Sequence, residues 1–205
     1  MSWIERPPRF FRALTPRGLF RLKDKGKKIY LTFDDGPIPE VTPWVLDLLD
    51  NYGVKATFFM VGDNARRYPE IACEVLRRGH KVGNHTLHHL AGHKVKTRRY
   101  LKDIEAAREF LPAETPLFRP PHGWLRPRQA RVLSRRYRIV MYDLVTRDYS
   151  YRLQGEQVLE NVKRYARPGS IIVFHDSIKA WPRLETALPQ AIEWLINQGY
   201  TFELI

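Results

Sequence analysis

Eight residues whose side chains can bind a metal, move a proton or hold a carboxylate fall at, or just past, the ends of successive predicted strands. They are Asp34, Asp35, His85, His89, Arg119, Asp148, His175 and Asp176. In a fold of alternating strands and helices, the carboxyl ends of parallel strands face the same side, where such folds place ligands and catalysis. We therefore expect these side chains to meet in one cleft.

His85 and His89 are four residues apart, a spacing that places two imidazoles on the same side of one helical turn. Two imidazoles and one carboxylate give the three protein ligands of a catalytic metal site, with positions left for water and substrate. We expect one divalent ion, zinc first, with cobalt, nickel, manganese and iron also compatible with these ligands. Two histidines at this spacing also occur by chance on surfaces, and we expect the neighbouring His88 and His93 to face solvent.

Asp34 and Asp35 form a pair of adjacent carboxylates at the end of an apolar strand, followed by Gly36. Because two adjacent carboxylates repel each other, packing alone does not account for them. Neighbouring side chains point apart, so one could bind a cation while the other faces the reacting water as a base. The alternative is structural, since Asp is also common in turns and at helix N-termini.

The rest of the chain alternates strand and helix patterns, which predicts right-handed βαβ units and a parallel sheet. Strands are predicted over Lys28–Asp34, Ala56–Val61, His80–Asn84, Pro116–Arg119, Arg138–Val145, Ser170–Phe174 and Tyr200–Ile205. Helices are predicted over Pro69–Arg78, Lys96–Phe110, Pro127–Arg136, Glu156–Ala166 and Leu184–Asn197, after a first helix that Thr42 caps and Gly53 stops. The pattern is compatible with an open sheet or a closed barrel.

The net charge of +13 is unevenly distributed over the 205 residues. Residues 1–29 hold nine basic and two acidic side chains, so this part carries +7. The predicted organisation is therefore a basic, aromatic N-terminal arm over residues 1–26 and one domain over residues 27–205. The arm could contact a membrane surface. We favour an irregular segment that packs its aromatic side chains across the fold, because Pro7, Pro8 and Pro16 interrupt any long helix.

Several classes of protein are excluded by composition. The single Cys73 excludes an internal disulfide and a cysteine-rich zinc finger. No apolar stretch approaches the roughly 20 residues of a membrane span. No unbroken apolar run of about 7–15 residues marks a secretory signal, so we expect a cytoplasmic or inner-membrane-associated protein. The basic charge alone is compatible with nucleic acid, anionic lipid or an acidic glycan, but no nucleic-acid motif accompanies it.

Five segments, taken in order, resemble the five motifs of the polysaccharide deacetylases, also called the NodB-homology domain or carbohydrate esterase family 4. These segments are Thr32–Gly36, His85–His89, Arg119–Gly123, Asp148–Tyr149 and Val173–Asp176. The resemblance spans residues 28–205 and implies a single-domain α/β fold, a distorted (β/α)7 barrel.

The resemblance implies a role for each matching residue. Asp35, His85 and His89 would bind the metal, and Asp34, held by Arg119, would be the base that deprotonates the metal-bound water. His175 would be the acid that protonates the leaving amine, with Asp148 orienting its imidazole.

Three further positions would bind the acetyl group. The backbone N–H of His122 would bind the oxyanion, and Tyr149 and Val173 would line the pocket for the acetyl methyl. The chain departs from the family at each of them, because Tyr, Trp and Leu are the usual residues, and Val145 stands where many members have a second Asp. These departures concern the choice of substrate more than the catalytic groups.

The expected function is the metal-dependent removal of acetyl groups from N-acetylated amino sugars of a peptidoglycan-type or chitin-type saccharide. The alternative within the same apparatus is an O-acetyl esterase acting on acetylated xylan-like glycans. A barrel that only binds carbohydrate is disfavoured, because the ligands, the base and the acid are all present. The expected partner is the acetylated saccharide, with no nucleic acid and no obligate protein partner.

Overall fold

Nine strands of the described chain lie side by side in one parallel sheet. The computed structural model describes residues 5–8, 12, 15, 17–23 and 26–205. The strands are β1 (Gly18–Leu19), β2 (Lys28–Asp34), β3 (Thr57–Met60), β4 (Lys81–Asn84), β5 (Leu117–Phe118), β6 (Arg138–Val140), β7 (Leu144–Val145), β8 (Ile171–His175) and β9 (Thr201–Phe202). Their order is β1-β6-β5-β4-β3-β2-β8-β7, and β9 pairs with β2.

Seven α-helices of the described chain surround this sheet. They are α1 (Thr42–Asn51), α2 (Gly62–Arg67), α3 (Pro69–Arg77), α4 (Thr97–Ala107), α5 (Pro127–Leu133), α6 (Gly155–Tyr165) and α7 (Trp181–Asn197). Short 3₁₀ turns lie at Gly92–Lys94 and Pro121–Gly123. None of the helices among these residues is long and apolar enough to cross a bilayer.

The central strand β2 sets the position of the site. Six of its seven residues are buried, as expected for a parallel strand covered on both faces. Phe33 stacks on Phe58 of β3 at 5.0 Å and on Phe174 of β8 at 6.3 Å between ring centroids. Register pairs Asp34 with His175, so the last residue of β2 and the last residue of β8 lie side by side.

The described part of the N-terminal segment joins the sheet. Gly18 and Leu19 pair with Ile139 and Val140 of β6, and Arg21 forms an antiparallel bridge with Ser170 before β8. Phe20 is buried between these contacts. The boundary near residue 26 stays a prediction, as does a membrane contact of residues 1–26, since many of these residues lie outside the described chain.

Two predicted elements differ from the structure. The predicted strand Arg138–Val145 is two strands, because the chain between β6 and β7 turns to bring Asp143 into a buried polar cluster. Thr42 is not the cap of the first helix: Val41 occupies that position, and the Thr42 hydroxyl donates to Asp176 Oδ2 at 2.7 Å. Two further elements of the structure, β1 and α2, are not among the predicted ones.

The polar cluster ties two separate parts of the chain, the N-terminal segment and the segment before β8, to Asp143, which is fully buried. Arg12 Nη2 and Arg167 Nη2 donate to its Oδ1 at 2.7 and 2.6 Å, and Ser170 Oγ donates to its Oδ2 at 2.8 Å. Burial would raise the pKa of this carboxyl, but these donors outweigh burial and lower the pKa to about 2. The carboxylate is therefore the charged centre that joins the N-terminal segment to β7 and β8.

We expect Asp143→Ala to lower the free energy of unfolding by about 3 kcal/mol, since it leaves two arginines without their buried partner. The contribution of the carboxylate is complete above its unfolded pKa of 3.8 and is lost as the pH falls through about 2. Urea unfolding at pH 7 measures the loss. Asp47→Ala is the control, because it removes an exposed ion pair with Arg78 and should cost under about 1 kcal/mol. Equal losses for the two variants would contradict this account.

Candidate active site

A cleft of about 410 Å³ opens at the carboxyl ends of the strands. Nine of the ten residues to which the resemblance assigned roles line it: Asp34, Asp35, His85, His89, Arg119, His122, Tyr149, Val173 and His175. The tenth, Asp148, is fully buried behind His175. Six of the eight side chains expected to meet therefore line one cleft, whereas Asp148 and Asp176 are buried and do not line it.

Asp34 and Asp35 contact different partners, Asp34 the Arg119 guanidinium and Asp35 the two imidazoles. Asp34 ends β2 and is buried, whereas Asp35 has a φ of +87° and is partly exposed. The loop is fixed by Asp176, which accepts the Gly36 N–H at 3.0 Å. A Cβ at Gly36 would lie 1.9 Å from Asp176 Oδ2, so only glycine fits there. Asp176 is a structural residue whose position after β8 holds the loop that carries Asp35.

His85 and His89 lie on a loop after β4, and the prediction that they share a helical turn is wrong. Thr86 and His89 have φ values of +67° and +52°, which no helix allows. Asp103 of α4 stabilises this loop, because its carboxylate accepts hydrogen bonds from the backbone N–H groups of Leu87 and His88 at 2.9 and 3.1 Å. The loop still brings both imidazoles to the same place, with ring centroids 5.1 Å apart.

Asp35, His85 and His89 form a group whose ligand atoms all lie within 4.8 Å of one another. Asp35 Oδ1 is 3.2 Å from His89 Nε2 and 3.7 Å from His85 Nε2. Metal–ligand bonds of about 2.1 Å place the ligand atoms of one cation roughly 3 to 3.5 Å apart, so these separations suit one ion. Asp35 Oδ1 is buried and accepts no hydrogen bond from any described residue, as expected for an oxygen that binds a cation.

The protonation of His85 also fits a metal ligand. Its Nδ1 lies 2.8 Å from the carbonyl oxygen of Arg119, which can only accept, so Nδ1 carries the proton. The lone pair of Nε2 is therefore directed at Asp35. Burial lowers the pKa of His85 to about 4, which keeps the imidazole neutral at physiological pH. Burial raises the pKa of Asp35, but the contact with His89 and the charge of His175 outweigh burial and hold this pKa well below its usual value.

Arg119 holds Asp34 in place from the floor of the cleft. Both side chains are buried, and Arg119 Nη1 donates to Asp34 Oδ1 at 2.6 Å and to Thr32 Oγ1 at 2.8 Å. The guanidinium lies 4.1 Å from the ring centroid of Phe59 and donates from Nη2 to the Met141 carbonyl at 3.0 Å. One oxygen of Asp34 is thus engaged in an ion pair, and the carboxylate is fixed in orientation.

The His175 imidazole and the buried Asp148 carboxylate form a pair beside Asp34. Asp148 Oδ1 lies 2.7 Å from His175 Nδ1, and Asp148 Oδ2 accepts a hydrogen bond from the backbone N–H of His175 at 2.7 Å. Burial lowers the pKa of His175, but the neighbouring carboxylates, Asp148 above all, outweigh burial and raise the pKa to about 9. His175 is therefore protonated at neutral pH, and its Nε2 is available to donate a proton.

Three residues predicted for the acetyl group also line the cleft. His122 has a φ of +60°, and its ring lies 4.8 Å from the ring of His89. Tyr149 packs edge-on against His175 at 4.9 Å, and Val173 is buried in the wall. The assignment of the oxyanion donor and the methyl pocket stays a prediction.

Three other residues that line the cleft, Met141, Tyr142 and Lys179, are not among the predicted site residues. Tyr142 lies just past the end of β6. Because one strand was predicted over Arg138–Val145, no strand end was expected at this point. Lys179 follows the last motif by three residues, and only its position after a strand end could have indicated it.

We expect Asp148→Asn to move the alkaline limb of the pH–rate profile for acetate release down from about pH 9. Asparagine cannot supply the charge that stabilises the imidazolium, so the pKa of His175 should fall toward its ordinary 6.5 or below. Rates measured from pH 5 to 10, together with ¹H–¹⁵N NMR titration of the histidines, report the shift. An unchanged limb would show that another group controls the alkaline side of the profile.

Comparisons with known proteins agree with this geometry. A family model described as polysaccharide deacetylase matches residues 21–138. A peptidoglycan-N-acetylglucosamine deacetylase of Bacillus cereus is 33% identical over 198 residues, which are 93% of each chain. A chitooligosaccharide deacetylase of Rhizobium leguminosarum bv. trifolii is 32% identical over 155 residues, covering 73% of this chain and 72% of the relative.

A solved structure gives the same result for the fold. The crystal structure of the peptidoglycan N-acetylglucosamine deacetylase Bc1960 aligns with a TM-score of 0.82 at 30% identity, over 91% of this chain and 89% of that one. The resemblance stated from the motifs and the predicted distorted barrel are both confirmed.

Proposed function

We propose that this chain, which belongs to the polysaccharide deacetylase family, is a metal-dependent hydrolase that removes acetyl groups from N-acetylated amino sugars. The observation that carries the proposal is the arrangement of a buried carboxylate and a protonated imidazole beside the Asp35–His85–His89 group. Asp34 and His175 are register partners on adjacent strands, so a base and an acid face the same small volume.

Asp35, His85 and His89 would hold one divalent ion, and zinc is the ion that two imidazoles and a carboxylate favour first. A divalent ion at this position supplies Lewis-acid polarisation of the acetyl carbonyl and makes water acidic enough to lose a proton near neutral pH. The support for this ion is the close group of ligand atoms and the unpartnered Asp35 Oδ1.

The protein groups then account for both proton transfers in amide hydrolysis. Asp34 accepts a proton from the attacking water, whose oxygen forms a bond to the acetyl carbon. His175 donates its proton to the amine nitrogen as the carbon–nitrogen bond breaks, which releases acetate and a free amino sugar. Arg119 holds the Asp34 carboxylate in a fixed orientation, and Asp148 orients the His175 imidazole and keeps it protonated. Both groups are therefore held in position for the reaction, and His175 begins it in the protonated form that an acid requires.

The related proteins support an acetylated amino sugar as the substrate. Their names give peptidoglycan N-acetylglucosamine and chitooligosaccharide as what they deacetylate. The direct test is acetate release from an N-acetylglucosamine oligomer, from peptidoglycan fragments and from acetylated xylan. We expect release from the N-acetylated substrates. Release from xylan alone would replace the proposed amidase with an esterase, and release from none would overturn the proposal.

A further inference from the structure

Lys179 lies at the lip of the catalytic cleft and has no part in the reaction proposed above. It follows β8 by four residues and lines the cleft together with Tyr149 and His175. Its Nζ is 5.6 Å from the ring centroid of Tyr149 and 5.3 Å from that of Tyr151, so two aromatic faces flank the ammonium group. Tyr151 is 76% exposed, which leaves this side of the lip open to a long substrate.

Arg183 on α7 fixes the backbone beneath this cluster. Its side chain is buried, and its Nε donates to the carbonyl oxygen of Asp148 at 2.7 Å. Its Nη2 donates to the carbonyl oxygen of Lys179, and its guanidinium lies 5.4 Å from the Tyr151 ring. The loop that carries Lys179 is therefore attached to the loop that positions the catalytic imidazole.

Neither cation has an acidic partner in the described part of the chain. The ion pairs formed by these residues include no carboxylate with Lys179 or with Arg183. The nearby carboxylates have other partners: Asp34 pairs with Arg119, Asp148 pairs with His175, and Asp35 lies against His85 and His89. Positive charge at the lip of a cleft with no internal counter-charge is complementary to an anionic group on the ligand.

The short distance between Lys179 and His175 limits where on the saccharide a bound anionic group can lie. Tyr149 contacts both Lys179 and His175, with its ring centroid 4.9 Å from the imidazole. One aromatic ring thus separates the ammonium group from the proton donor. A negative charge paired with Lys179 would belong to the sugar being deacetylated or to the next sugar in the chain.

We propose that Lys179, held between Tyr149 and Tyr151, binds a carboxylate of the saccharide and makes the enzyme prefer acidic acetylated glycans over neutral chitin-type chains. This inference rests on the proposed function, because it names the class of glycan that the same cleft accepts.

The test compares two matched substrates. One is a peptide-free peptidoglycan strand fragment with free lactyl carboxylates, and the other is the same fragment with those carboxylates converted to methyl amides. The readout is the ratio of kcat/KM for the acidic to the neutral fragment. We expect Lys179→Gln to lower this ratio about fivefold, mostly through KM, as for an exposed ion pair. Lys179→Arg should restore the ratio, and added salt should reduce it in the wild type.

Lys102→Gln is the control, because Lys102 is an exposed lysine of α4 that does not line the cleft. An unchanged ratio in Lys179→Gln, or an equal change in Lys102→Gln, would overturn the inference. A second measurement avoids turnover. Isothermal titration calorimetry gives the affinity of both fragments for the Asp34→Asn variant and for the Asp34→Asn, Lys179→Gln double variant, and the ratio of the two affinities is compared between the proteins. If wild type releases no acetate, the proposed function fails, whereas the binding ratio still decides the role of Lys179.

Discussion

Asp34→Asn should reduce acetate release about 10³-fold while leaving the metal content of the protein unchanged. Asparagine has nearly the shape of aspartate but cannot accept a proton from the attacking water. Asp34 is no part of the Asp35–His85–His89 group, so the ligands remain intact. Acetate assays and elemental analysis of the same preparation measure both quantities.

Two controls separate loss of the base from loss of the fold. Asp34→Asn also leaves the buried Arg119 without its charged partner, so urea unfolding must show that the variant is folded at the assay temperature. Asp47→Asn makes the same chemical change at an exposed position of α1 and should keep full activity. Hydrolysis by a folded Asp34→Asn variant at near wild-type rate would remove Asp34 from the role of base.

His85→Ala should lose both the metal and the activity, with acetate release down at least about 10³-fold. The substitution removes the buried Nε2 that faces Asp35, and two ligands remain. Isothermal titration of zinc into metal-free protein measures the loss of affinity directly. This result separates the variant from Asp34→Asn, which should lose activity alone.

His88→Ala is the matched histidine control. His88 lies on the same loop, but its side chain is 59% exposed and its Nδ1 contacts Asp103 at 2.6 Å. Zinc affinity should remain at the wild-type value in this variant. Equal losses in His85→Ala and His88→Ala would show that the loop fold, rather than a specific ligand, had been tested.

Most of the strands that carry the site could be predicted from the sequence. The predicted bounds of β2 match the structure, because a central parallel strand shows a continuous apolar run that ends abruptly in Asp34 and Asp35. The convergence of distant motif residues followed from the direction of parallel strands alone. The roles of individual residues came from the resemblance to a family, since composition and spacing left metal ligand and base interchangeable between the two aspartates.

The predictions of local structure were wrong where contacts with residues distant in sequence determine the backbone conformation. His85 and His89 have helical spacing, but Asp103 on α4 holds their loop in a form that spacing cannot predict. Thr42 has the residue type of a helix cap, yet its hydroxyl binds Asp176, 134 residues away. The strand break at Asp143 depends on Arg12, Arg167 and Ser170, and no local sequence pattern predicts this break.

Titration of metal-free enzyme with zinc, followed by acetate release from an N-acetylglucosamine oligomer, tests the central claim most directly. One Asp35–His85–His89 group should bind one ion, so activity should be absent after chelation and should rise linearly to a plateau at one equivalent of zinc per chain. Full activity in protein shown by elemental analysis to be free of metal would contradict the account.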